Sequence, residues 1–290
     1  MPSKRITSEL IETLYGLLAP CRLCPRQCRV NRLNGEIGNC KAGLKPKVSS
    51  YHQHFGEEYC LVGRFGSGTI FFTHCNLHCV YCQNYDISQL GLGLEISAEK
   101  LAQMMIDLQE LGCHNINLVT PTPWVPQIVE ALAIAQEKGL NVPVVYNCGG
   151  YESVETLKML DGIIDIYMPD IKYGDNRKGE KYSKVPDYWD VVRLAVKEMH
   201  RQVGDLIIEN GIAKKGLLIR HLILPNDIAD SKKCLDFVIN EVSRNSFVNI
   251  MDQYYPTYRA HEYPELNRRI TPNEYKKVIE SIKLERKDIF

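Results

Sequence analysis

The chain has 290 residues, 35 basic and 35 acidic, and so no net charge with histidine neutral. That balance argues against a protein that coats nucleic acid or an anionic membrane, and 44% hydrophobic residues place it among globular chains rather than disordered ones. No apolar run approaches the ~20 residues of a membrane span, and the first residues, MPSKRITSELIETLYGLL, lack a signal peptide's apolar stretch, so the cytoplasm is the expected compartment.

Apolar residues at helical spacing predict a helix over Thr7–Leu18, ended by Pro20. A cysteine-rich loop without period follows from Cys21 to about Lys47, then weak extended signal over Val48–Val62. From Thr69 strands and helices alternate. The strands are Thr69–Thr73, Asn115–Val119, Val142–Tyr146, Gly162–Met168, Gly216–Leu224 and Phe247–Met251. Helices fall at Ser97–Leu111, Val125–Lys138, Ser153–Leu160, Tyr188 to about Val203, Ala229–Val242 and Pro272–Ile282. Alternation implies a parallel sheet, and near-continuous apolar strands imply helices covering it. The fold class is therefore α/β, a partial (β/α)6 TIM-like barrel, with reactive side chains at the C-terminal strand ends. The expected division is an N-terminal helix and Cys-rich loop over 1–65 and the barrel over 66–290.

The chain has 11 cysteines, seven of them in two clusters. Thiols two or three residues apart would form strained disulfides but can converge on a metal. In GSGTIFFTHCNLHCVYCQNYD, Cys75, Cys79 and Cys82 follow the first barrel strand. Three thiolates suit an iron–sulfur cluster that keeps one iron open. The competing reading is a closed zinc site with His74 or His78 as fourth ligand.

The spacing of the triplet, with aromatic Tyr81 before the last cysteine, resembles the radical S-adenosylmethionine (SAM) superfamily. GTIFFTHCNLHCVYCQN resembles the glycyl-radical-enzyme activases, typified by pyruvate formate-lyase activating enzymes, and the whole chain resembles an activase-like branch with an N-terminal Cys-rich loop. This resemblance implies that Cys75, Cys79 and Cys82 hold a [4Fe-4S] cluster and that SAM binds its open iron. Reductive cleavage of SAM then yields a 5′-deoxyadenosyl radical that abstracts hydrogen from a protein substrate. The implied partners are that protein, a glycyl radical enzyme in the activase case, and a flavodoxin or ferredoxin-type electron donor; no nucleic acid and no membrane is expected. Alternatives are a radical SAM enzyme modifying a small metabolite or another peptide, and a zinc-stabilised binding protein without catalysis.

The resemblance places the adenine of SAM at Tyr81 and gives Asp170 and Lys172 of MPDIK a SAM-binding role. Asn147 of YNCGGY would point into the barrel mouth, and Cys148 reads as a small buried residue. In RHLILP only one of Arg220 and His221 can look inward, and the resemblance favours Arg220. Where the superfamily commonly has Gly-Gly-Glu for the SAM amino group, this chain has VTPTPW, which leaves the hydroxyls of Thr120 and Thr122 for that contact. Cys21, Cys24, Cys28 and Cys40 are enough to close a structural metal site, either zinc or a second iron–sulfur cluster. Arg22, Arg26, Arg29 and Arg32 in the same loop would either hold an acidic partner or soften the thiolates' charge. YHQHFGEE (Tyr51–Glu58) offers two histidines and two acids, and is expected to be a solvated turn rather than a metal site.

Overall fold

The structure, a computed structural model, describes residues 6–283. Helix α1 (Ser8–Gly16) is capped by the Thr7 hydroxyl on Leu10 N. Strand β1 (Lys47–His54) leads through helix α2 (Tyr59–Val62) to β2 (Ser67–Phe72). Helix α3 (Tyr85–Ser88) and the short strand β3 (Leu94–Glu95) precede α4 (Ala98–Glu110), which Ser97 caps. There follow β4 (Ile116–Val119), α5 (Val125–Glu137), β5 (Val144–Cys148), α6 (Val154–Met159), β6 (Ile166–Pro169), α7 (Asn176–Ser183) and α8 (Tyr188–Val203). The chain ends with β7 (Ile207–Glu209), β8 (Ile212–Leu222), α9 (Ser231–Phe237), β9 (Phe247–Met251) and α10 (Pro272–Lys283).

One nine-stranded sheet results, in the order β3-β1-β2-β4-β5-β6-β8-β7, with β9 on β8. The six predicted strands correspond to β2, β4, β5, β6, β8 and β9, and each pairs in parallel with the next. Among the described residues β9 pairs only with β8, so the sheet curls without closing: a partial barrel. Two differences from the expected elements matter. Lys47–His54 is a full antiparallel strand on β2, and Tyr59–Val62 is a helical turn rather than extended chain.

Pleating sorts the strand residues. Ile70, Leu118, Tyr146, Tyr167 and Leu217 join the core under the helices. The alternate positions Val145, Ile166, Met168 and Leu218 face inward and close on Cys60 and Leu61 of α2, which plug the barrel. The plug is tied to the sheet, for Asn115 Nδ2 donates to Leu61 O at 2.8 Å. Above it, the inward positions turn polar.

Candidate functional site

Cys75, Cys79 and Cys82 occupy the loop at the C-terminal end of β2. The loop begins with His74 in the left-handed region, φ +65°, where side chains other than glycine are uncommon. Each sulfur has a hydrogen-bonding neighbour. Leu77 N reaches Cys75 Sγ at 3.4 Å, Ser183 Oγ lies 3.0 Å from Cys79 Sγ, and Ser88 Oγ lies 3.1 Å from Cys82 Sγ. Such neighbours suit sulfurs that carry charge. Burial pushes the Cys75 and Cys82 thiols up, and the neighbouring cysteines add to it. All eleven cysteines are free of disulfides.

Tyr81 is 5% exposed and its hydroxyl donates to Tyr173 OH at 2.7 Å. Tyr173 OH lies 2.9 Å from Ser183 Oγ, so a buried hydroxyl chain runs from Tyr81 to the sulfur of Cys79. Of the two candidate fourth ligands, His78 spends its ring nitrogens on Gln89 Oε1 (2.8 Å) and Asn39 Oδ1 (2.6 Å). The His74 ring packs against Trp124.

Across the mouth, Asp170 joins Lys172 to Arg220. Lys172 Nζ donates to Oδ2 at 2.7 Å and Arg220 Nε to Oδ1 at 2.9 Å. Arg220 also donates to Asn147 Oδ1 at 2.8 Å, and its Nη1 stands 3.4 Å from Glu57 Oε2. Burial works to raise the Asp170 carboxyl, but Arg220 and Lys172 outweigh it and hold it at about 2. Burial would lower Lys172, yet Asp170 and Cys79 raise it above the ordinary lysine range. The group is thus ionised, with two cations poised on one carboxylate.

Four predicted residues from three strands, Asn147, Asp170, Lys172 and Arg220, are brought together here. His221 points the other way, to Ile171 O (2.7 Å) and Ser231 Oγ (2.9 Å), and burial lowers it to about 4. Thr120 ends β4 with φ +60°, strained for a β-branched residue, and its N–H donates to Asn147 O at 2.9 Å. Thr122 stands apart from that group. Its hydroxyl donates to Glu152 Oε1 at 2.6 Å, and it lines the pocket of the N-terminal cysteines. Cys148 is buried at the end of β5.

Cys21, Cys24, Cys28 and Cys40 converge on one small pocket with the buried Arg32. Asn39 N donates to Cys28 Sγ at 3.3 Å. A Cβ on Gly38 would come within 3.2 Å of that sulfur, so only glycine fits without displacement. Among the described residues, no three or more His, Cys, Asp or Glu side chains gather closely enough to hold a single metal ion, in this loop or in the triplet. The loop docks on the triplet loop: Arg26 Nε donates to Asn76 O and Nη2 to Lys184 O (3.0 Å).

Sequence reading missed three contributors. Ser88 and Ser183 reach the sulfurs from separate helices, and no local pattern marks them. Glu57, expected in a solvated turn, has a side chain only 8% exposed and faces Arg220; its turn enters the barrel because β1 pairs with β2.

The sequence model of the Radical SAM superfamily matches residues 69–233. An uncharacterized protein of Methanocaldococcus jannaschii is 35% identical over 279 residues, 93% of this chain and 76% of the relative. The pyruvate formate-lyase-activating enzyme of Clostridium pasteurianum is 25% identical over 209 residues, 68% of this chain and 79% of that one. Among solved structures, Streptococcus suis SuiB bound to S-adenosylmethionine aligns with TM-score 0.50 at 12% identity over 72% of this chain. The FeFe-hydrogenase maturase HydG of Carboxydothermus hydrogenoformans aligns with TM-score 0.50 at 11% identity over 72%. This chain spans 44% and 48% of those two solved chains, and at these identities the likeness is one of fold.

Proposed function

The chain belongs to the radical SAM superfamily, and from that membership we propose that it abstracts a hydrogen atom from a protein substrate, as glycyl radical enzyme activases do. The observation that carries the reading is the triplet loop, whose three sulfurs each have a hydrogen-bonding neighbour and which faces the ionised Asp170 group. Likeness to a pyruvate formate-lyase-activating enzyme supports the choice of substrate class.

In this reading Cys75, Cys79 and Cys82 hold a [4Fe-4S] cluster, and Tyr81, Thr120, Thr122, Asn147, Asp170, Lys172 and Arg220 serve SAM. Bound together, cluster and SAM supply carbon-radical chemistry for hydrogen abstraction. The protein binds, orients and excludes water. Asp170 fixes the directions of two cations, each suited to a carboxylate. Asn147 sets the Arg220 plane. Tyr81, locked through Tyr173, gives a rigid dry wall beside the cysteines. A flavodoxin or ferredoxin-type protein is the proposed electron donor. Cys21, Cys24, Cys28 and Cys40 are proposed to hold a structural metal; they line one pocket beside Arg32, and a bound ion would have to draw their sulfurs closer.

Anaerobic reconstitution with iron and sulfide, then SAM and dithionite, should give 5′-deoxyadenosine well above a Cys75→Ala control; equal yields reject the reading. Mixing with candidate glycyl radical enzymes should give a glycyl doublet in electron paramagnetic resonance. Deoxyadenosine without a doublet favours the second reading, a small metabolite or other peptide, which the cysteine loop ahead of the triplet supports. Metal counts on a Cys40→Ser variant test the N-terminal site: its metal should be lost while the triplet's iron stays.

A further inference from the structure

β1 and its return loop build a wall toward the open edge of the barrel, with His52 exposed, that neither the cysteines nor the Asp170 group explains. His52 pairs with Thr69 and His54 with Ser67, so both histidines lie on the inward face of the sheet. Their rings pack on Phe71, with centroids 5.5 and 5.7 Å from it. Phe55 and Tyr59 stand exposed at the rim. Between these two aromatics the chain turns inward. Glu57 meets Arg220, while Glu58 Oε1 accepts from Asn249 Nδ2 at 2.8 Å.

This floor is left unsatisfied. Asn117 is fully buried and shares the inward face, since it pairs with Thr69 and Val145. Its amide lies against the Glu57 carboxyl and interacts with it, while its oxygen has no hydrogen-bond partner among the described residues. Glu58 Oε2 is buried without one as well. Such groups cost roughly 1–3 kcal/mol each when left unpaired, so a row of them beside a reaction centre marks a ligand's place. Two acceptors, Asn117 Oδ1 and Glu58 Oε2, stand free, while the donor Asn117 Nδ2 has the Glu57 carboxyl beside it. Among the described residues, three carboxyl groups, Asp170, Glu57 and Glu58, stand near two cations, Lys172 and Arg220, which pair with Asp170 and Glu57; burial raises the Glu57 carboxyl against the pull of Arg220.

We infer that this wall and floor bind the substrate through a protonated amine or guanidinium, which donates to Glu58 and Asn117 and offsets the surplus carboxyl. An ammonium brings three donors and no acceptor, which matches the deficit. The aromatic wall of His52, His54 and Phe71 would flank the aliphatic part. The inference deepens the proposed function by naming a substrate class, and it rests on that reading only for where the substrate must sit.

The test uses anaerobically reconstituted holoenzyme saturated with SAM. Ligand-observed NMR titrations compare n-butylamine with n-butanol, and acetyl-Gly-Lys-Gly-amide with the same peptide acetylated on its lysine. The wild type should prefer each amine over its neutral counterpart by about tenfold, the worth of one hydrogen bond to a charged group. Glu58→Gln and Asn117→Leu, on separate elements so that misfolding of one does not decide the matter, should each erase most of that preference. Tighter binding of the lysine peptide than of butylamine assigns the amine to a polypeptide; equal binding assigns it to a free amine. Equal binding of amines and neutral probes overturns the inference, as does a preference that survives both variants. So does a Glu58→Gln loss of SAM affinity as large as the loss of amine affinity, because the carboxylate then belongs to the cofactor. Absence of SAM cleavage with the amine preference intact strikes the proposed reaction and leaves this site standing.

Discussion

Glu152 shows how a single buried carboxyl is placed on a proton balance. It is 3% exposed, and it accepts from Thr122 Oγ1 at 2.6 Å and Tyr146 OH at 3.0 Å. Burial raises its carboxyl to about 7 against the pull of those donors. A raised carboxyl keeps its proton in the fold while the unfolded chain, titrating near ~4.3, has lost it. Stability is therefore greatest below about pH 4 for this group and declines until pH has climbed through about 7, by about 4 kcal/mol in all. Glu152→Gln removes the titration. Urea midpoints at pH 5, 6.5 and 8 should fall less steeply with pH in the variant than in the wild type; parallel slopes would show that Glu152 does not carry the dependence. Asp170 has the opposite sign, since its cations outweigh burial, and its contribution disappears only as pH drops toward about 2.

The β5–α6 connection is the element on which the mouth depends. Gly150 sits at φ +76°, and a Cβ there would fall 2.4 Å from the carbonyl oxygen of Asp170 and 2.8 Å from Val192 Cγ2. Glycine lets the turn pass against the backbone of the neighbouring strand end. Gly150→Ala must push β6 away from β5 just where Asp170 holds Lys172 and Arg220. The expected cost is about 2 kcal/mol or more, read as a lowered thermal midpoint. Weakened SAM binding should accompany it, while an alanine at the exposed helix end Gly16, which meets nothing within 4 Å, should leave both unchanged. Thr120 shows the same economy one strand away: a β-branched residue accepts φ +60° where glycine would be at ease, held by its N–H bond to Asn147 O.

At the scale of the molecule, the N-terminal loop and the barrel are one packed body, because Arg26 clamps both the triplet loop and the end of α7. Arg26→Ala should cost about 1–2 kcal/mol of stability and speed limited proteolysis within residues 21–47; unchanged cleavage would mean the loop is held by other contacts. How much of this could be read beforehand follows from what is local. Helix caps Thr7, Ser97 and Ser153, the apolar strands, and the Cys75–Cys79–Cys82 spacing depend on residues within a few positions of one another, so the chain alone specified them, along with the parallel order they imply. Asp170 and Lys172, two apart on one strand end, belong to the same class. The pairing of Arg220 with Asp170 and Asn147, the serines on Cys79 and Cys82, and the entry of Glu57 and Glu58 into the barrel join positions 6 to 191 residues apart. Those meetings are fixed by sheet register and by the antiparallel docking of β1 on β2, which no short stretch encodes. The sequence by itself determined which reactive groups the chain has and the strand ends that carry them. Only the tertiary structure decided which of them share a charge, because that depends on distances set by the curling of the whole sheet.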